Sequence, residues 1–260
     1  MKKKITPKSA REFLSSVKLP SPARARGAVE GAREIIDFNA QKNQAMVVAS
    51  DIVSFVKGVS NERRQDIVNS SLLAQLVANK KVPDKKNIIE WYNAYFDVLE
   101  NIGWVIQDRS FSSYTEEADG LEAHEAIIKV ASVFLGAAPT ALALVISTLE
   151  ALKSMDSSKP WITIFDRESK QAKTGHFQIA LAEQGDNDQF LVSLMAFSLK
   201  AESTITQILF FKIRNDEVEL EKCSGKVTIN DEVLSSIRDQ VKQKIAAHAN
   251  DFIAKLPDLG

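Results

Sequence analysis

One cysteine, three histidines and ten glycines in 260 residues leave little material for several common chemistries. Cys223 stands alone, so neither an intrachain disulfide nor a thiolate zinc cluster can form. The sparse glycines make no phosphate-cradling loop and no G-x-G-x-x-G turn, and neither H-E-x-x-H nor G-x-S-x-G occurs. Two S-x-x-K matches, Ser15 to Lys18 and Ser54 to Lys57, lack a second motif, and so loose a spacing recurs by chance. His124, His176 and His248 lie far apart in sequence. In "EAHE", Glu122 and Glu125 share a helix face while His124 diverges from it, which suits a solvated surface better than a metal site. The expectation is no cofactor, no metal and no catalytic residue.

A strong charge of either sign is also lacking. The net charge is −1, which argues against wholesale binding to nucleic acid. The first 26 residues depart from this balance, with Lys2, Lys3, Lys4, Lys8, Arg11, Lys18, Arg24 and Arg26 facing Glu12 alone. They read as a basic, partly flexible, solvated arm. No apolar stretch follows these cations, because Pro7, Lys8, Arg11 and Glu12 interrupt "ITPKSAREFLSSVKL". That excludes a conventional secretory signal and leaves the cytoplasm as the default address, with non-classical export or release as the other route.

Long uncharged runs are missing too, with one exception. "VASVFLGAAPTALALVISTL", residues 130 to 149, holds twenty residues without a charge in a chain that is 26% charged. As one helix it would be about 30 Å long, the thickness of a bilayer's hydrocarbon core. Helical spacing argues against a permanent span. Ile127, Val130 and Phe134 fall on one stripe, and Leu142, Val145, Ile146 and Leu149 on another. Polar or small residues run down the opposite sides. Gly136 and Pro139 break the run near "GAAP", so two amphipathic helices joined as a hairpin are expected over 125–152.

The rest of the chain changes period near Pro160. Before it, apolar spacing is helical. Residues 44–57 place Val47, Val48, Ile52, Phe55 and Val56 on one face, and Ser60 caps a helix over 61–79. A further helix carries Trp91, Tyr92, Tyr95 and Val98 into the core and stops at Gly103. After Pro160, "WITIFD", "HFQIALAEQ", "QFLVSLMAFSLKAE" and "TITQILFFKIR" read as strands, with "VELEK" and "KVTI" as shorter ones. Short turns such as "KTG" and "GDND" imply antiparallel pairing. Leu194 and Phe211 belong to strands apolar on both faces, hence to the middle of a covered sheet. A last helix opens at Asp231.

The expected fold is α+β: an N-terminal helical region packed with a C-terminal antiparallel β-sheet of about four to six strands, then a final long helix. In domain terms, residues 1–26 form the arm and 27–260 a single unit, helical over 27–156 and sheet plus helix over 160–260. The N-terminal helices should cover one face of the sheet and the last helix the other.

Three functions fit these features. The first is a non-enzymatic, toxin- or effector-like protein that meets membrane lipid or an apolar partner through the hairpin, with Ile127, Val130, Phe134, Leu142, Val145, Ile146 and Leu149 in contact. The second is a binding module for a lipid-like ligand. The third is an enzyme of unknown class using Cys223. That cysteine lies between "ELEK" and "SGK", reads as a turn residue near Lys222 and Lys226, and is also a candidate for modification.

Overall fold

A computed structural model describes residues 4–21, 37–84, 86–136, 138–153, 160–184 and 190–256. The expected "GDND" turn and the end of the basic arm, residues 22–26, lie outside the described residues. Among those described are eight helices and nine strands, an α+β fold with more strands than the apolar pattern suggested.

Three long strands make the middle of the sheet. β6 (Thr174–Gln184), β7 (Phe190–Ala201) and β8 (Val218–Ile229) run antiparallel, with Ile179 opposite Met195 and Ala196 opposite Cys223. Both faces of β7 are buried: Val192, Leu194 and Ala196 point one way, Met195, Phe197 and Leu199 the other. Covering both faces is what a strand without polar alternation requires.

Residues 44–57 are not a helix. They form the hairpin β1 (Gln44–Val48) and β2 (Asp51–Phe55), turned at Ala49 (φ 53°) and Ser50. Every residue of both strands is buried, so the two-residue period vanished into a run that helical spacing also fits. The β-branched side chains Val47, Val48, Ile52 and Val53 favour the strand. β2 then lies parallel to β6, Ile52 beside Ile179, so the sheet is mixed rather than wholly antiparallel. The helical half thus supplies two central strands.

Short strands complete the sheet: β3 (Trp104–Val105) and β4 (Ser112–Ser113) on β8, β5 (Lys170–Gln171) on β6, and β9 (Ile253–Lys255) on β1. β3 and β9 close the two ends.

Helices cover the two faces unequally. On one lie α1 (Pro7–Ser16), α2 (Asn61–Lys81), α3 (Ile88–Asn101) and α7 (Asp231–Ile245). On the other lie α4 (Ala123–Leu135), α5 (Pro139–Lys153) and α6 (Pro160–Ser169). The last long helix therefore shares a face with the early helices, against expectation, and the uncharged run takes the opposite face. α8 (Ala249–Phe252) leads into β9. Phe252 and Leu256 extend the apolar pattern of α7 but do not extend its helix.

Local signals account for several boundaries. Ser60 Oγ accepts from Arg63 N at the start of α2, as its capping position implies. Gly103 ends α3 at φ 104°, and a Cβ there would stand 3.1 Å from Val233 on α7. "WITIFD" is not a strand but the start of α6. Pro160 occupies the first helical position, where a missing N–H costs nothing. "TITQILFFKIR" is not a strand either. It buries Ile205, Ile208, Leu209 and Ile213 through a 3-10 turn at Ile208–Phe210. Phe211 follows that turn half-buried, outside the central sheet.

Candidate functional site

The uncharged run folds as the expected pair of helices, broken where Gly136 takes φ 55°. α4 starts with Glu125 Oε2 accepting from Glu122 N at 2.8 Å. With 13 and 15 residues, the two helices are about 20 and 22 Å long, short of a hydrocarbon core. Among the described residues no helix is long and apolar enough to cross a membrane.

Most of the stripe residues face the sheet. Ile127, Val130, Val145 and Leu149 are buried, Phe134 and Leu142 are half-buried against the same cluster, and Ile146 is half-buried without joining it. The clustered residues share their core with Phe177, Ile179, Leu181, Met195 and Phe197. The outer surface holds a residue that the stripes do not include. Val133 is 85% exposed, flanked at helical spacing by exposed Lys129 and Gly136. A valine one turn from Lys129 and Gly136, on the side the stripes leave out, was the available signal. Around it Ser132, Pro139, Thr140 and Ala143 are also exposed, and no charge intervenes between Lys129 and Glu150. The end of the hairpin is therefore an uncharged surface of small and apolar groups.

Its hydroxyls make few demands on solvent. Ser132 Oγ donates to Ile128 O, Ser147 Oγ to Ala143 O and Thr148 Oγ1 to Leu144 O, at 2.7–2.9 Å. Each is satisfied within its own helix. With its proton so used, Thr148 Oγ1 accepts from Ser54 Oγ of β2 at 3.3 Å. The base of the hairpin is held differently. Ala123 N donates to Phe211 O, His124 Nδ1 lies 3.3 Å from Leu209 O, and Lys153 Nζ lies 3.5 Å from His124 Nε2.

The opposite layer is joined to the sheet by buried polar contacts and to itself by part-buried and exposed ion pairs. Arg64, fully buried, donates to the carbonyls of Val59, Lys42 and Val56 and to Gln44 Oε1. Gln75 of α2 bonds Ser50 and Val48 O. Asp51 of β2 accepts from Ser71 of α2 and from Tyr95 of α3. Arg238 of α7 grips Asp66 of α2 with two bonds of 2.8 Å, and Arg63 pairs with Asp231.

The aromatic run is core. Trp91, Tyr92, Tyr95 and Phe96 are buried, with Trp91 stacked on Tyr95 at 5.4 Å between centroids. His176 is also buried, its ring 4.1 Å from that of Trp91. Among the described residues no three His, Cys, Asp or Glu side chains gather as a metal site needs.

Cys223 is not at a turn. "VELEK" and "KVTI" are parts of one strand, and Cys223 lies in its middle, buried toward α3 with Sγ 4.0 Å from Asp108 O. Alternation puts Lys222 and Lys226 on the other face, Lys222 over the Tyr114 ring. Burial, then the Asp108 charge, pushes the thiol up to about 11, against a weaker pull from Lys222. At neutral pH it is a neutral thiol. A hollow beside α5 and α6, lined by Leu152, Phe165, Leu209 and Phe210, has room for about one water molecule.

No known protein-family model and no curated protein matches the sequence. Among solved structures the chain has distant likenesses to a delta-endotoxin, the activated Cyt2Ba monomer from Bacillus thuringiensis subsp. israelensis and the Evf virulence factor. The first is 15% identical, covers 78% of this chain and 91% of that one, and has a TM-score of 0.42. The second is 12% identical with coverages of 54% and 80% and a TM-score of 0.30. The third is 12% identical with coverages of 96% and 91% and a TM-score of 0.35.

Proposed function

We propose that this chain is a non-enzymatic, toxin- or effector-like protein that engages lipid bilayers through the α4–α5 hairpin. One observation carries the reading. The hairpin layer is joined to the sheet mainly by apolar packing, whereas α2 and α3 of the opposite layer are joined to it by buried polar bonds. Apolar contacts are non-directional, and hydrocarbon can replace them at little cost. Buried polar bonds cannot be given up to lipid without leaving unpaired groups. The layer free to move into a bilayer is thus the hairpin.

The uncharged end supports initial contact. Val133, Pro139 and Ala143 present apolar surface without a charge to desolvate, and the Ser132 and Ser147 hydroxyls are already bonded to backbone. Helices of 13 and 15 residues are too short to cross the hydrocarbon core and would lie in the interface. Once the hairpin lifts, Ile127, Val130, Phe134, Leu142, Val145, Ile146 and Leu149 exchange the sheet for acyl chains. The uncovered sheet face, with Phe177, Ile179 and Phe197, needs the same cover and settles toward the bilayer.

Flotation with phosphatidylcholine vesicles tests this. Because Val133 is exposed, Val133→Glu should leave the melting temperature unchanged while lowering the bound fraction roughly tenfold, the expected order for a carboxylate brought into the interface. Equal flotation of the two proteins, or none by the parent on any vesicle, would reject the proposal.

A further inference from the structure

Asp51 is a fully buried carboxyl with no cation beside it. Its Oδ2 accepts from Tyr95 Oη at 2.9 Å and from Ser71 Oγ, while Oδ1 has no partner among the described residues. On the same face of the sheet, Gln178 is its register neighbour across the parallel β2–β6 pair, and Gln178 Nε2 is also unpartnered. A buried carboxyl with one oxygen unpartnered calls for an explanation.

Protonation supplies one. As an anion, Asp51 would bury a charge with no cation acting on it and leave one charged oxygen without a donor, which the interior disfavours. A proton on Oδ1 removes that charge, while Oδ2 goes on accepting from Ser71 and Tyr95.

We propose that Asp51 is held as a neutral acid beneath α2 and α3, and that its ionisation at alkaline pH is a built-in trigger that loosens this layer from the sheet. Burial drives the carboxyl up to about 8, and the Ser71 and Tyr95 hydroxyls only partly oppose it. The titratable groups around it do not supply a positive charge at that pH. From α3, Tyr92 and Tyr95 are themselves pushed well above the usual tyrosine range, chiefly by burial. From β8, Cys223 lies in the same cross-strand row, with the thiol up near 11. From α2 come the neutral Ser71 and Gln75, and His176 of β6 packs on Trp91.

The folded state holds this proton more tightly than the unfolded chain, where aspartate titrates near 3.9. The associated stability is complete below about pH 4, declines as the pH rises, and is lost above about 8. Between those limits the unfolding constant should rise by up to about tenfold per pH unit on this account. The inference holds whether or not the hairpin meets a membrane.

Two measurements on the full chain test it. In thermal melts at pH 5, 7 and 9, the wild type should lose stability relative to Asp51→Asn, whose amide imitates the neutral acid. Asp66, pushed up by burial, and His248, pushed down by burial, titrate in both proteins and cancel in the difference. In carbon NMR of aspartate-labelled wild type, one carboxyl should titrate near pH 8. That readout does not depend on the variant folding. Parallel pH profiles, or aspartates all titrating below pH 5, would overturn the proposal.

Discussion

Asp51 and Ser54 stand three residues apart on β2 and face opposite layers. Asp51 points to α2 and α3 through Ser71 and Tyr95, and Ser54 points to α5 through Thr148. One central strand therefore carries a buried acid on one side and a neutral hydroxyl contact on the other. This is the asymmetry between the layers at the scale of a single strand. Ionising Asp51 loads the first interface, and the second involves no charge.

Leu194, buried in the middle of β7, should be costly to truncate. Leu194→Ala is expected to lose about 2–5 kcal/mol in chemical denaturation. Phe211→Ala should lose less, because Phe211 is half-buried beyond a 3-10 turn. An equal or larger loss for Phe211 would put that segment back in the sheet.

The sequence carried the parts of this fold in which one face is polar. The breaks at Gly103 and Gly136 and the cap at Ser60 follow from residue type, the stripes through Ile127 and Leu149 from a contrast between sides, and all are found. The contrast fails where both sides are covered. Val47 to Phe55 are buried throughout, so their two-residue period was invisible. Ile162, Thr163 and Ile164 suggested a strand by residue type, although Pro160 suits a helix start. Within the candidate site, the inward stripes were legible, whereas Val133 lies outside them and a single exposed valine carries no periodic signal. The Asp51 cluster unites residues from α2, α3, β2 and β6, far apart in the chain, so no spacing rule reveals it.

Cys223 should resist alkylation in the native state. Its thiol is buried and its pKa is raised, so the reactive thiolate is scarce below about pH 11. Maleimide at pH 7 should label the protein only as fast as it unfolds, and completely in denaturant. Native labelling at the rate of a free thiol would place Cys223 at the surface.

The basic segment should matter for stability as well as charge. From Pro7 to Ser16 it is a helix, with Ala10 and Leu14 buried on the face shared with α3 and α7, while Lys4, Lys8 and Arg11 are exposed. Deleting residues 1–18 removes one buried leucine and uncovers its neighbours, for an expected loss of about 2–4 kcal/mol. Binding to anionic vesicles should fall at low salt and change little at high salt. The basic helix and the hairpin lie on opposite faces of the sheet. Deletion should therefore spare binding to neutral vesicles. An unchanged melting temperature would mean that α1 is not part of the packed structure.

Release of the hairpin can be blocked where it touches the sheet. Ser132, on the outer surface, has no sheet neighbour to bond, whereas Ser54 Oγ and Thr148 Oγ1 already lie 3.3 Å apart across the α5–β2 contact. Two sulfurs in their place must close to about 2.0 Å, a small adjustment if the Cα atoms fall within about 4.4–6.8 Å. Ser54→Cys with Thr148→Cys, in a Cys223→Ser background, should oxidise during refolding, as loss of free thiols will report. The loop closed is long, so the crosslink should raise the melting temperature rather than lower it. Dye release from phosphatidylcholine liposomes should then be low for the oxidised protein and recover on reduction. Equal release in both redox states would show that α5 never leaves β2, and that any leakage comes from another part of the chain.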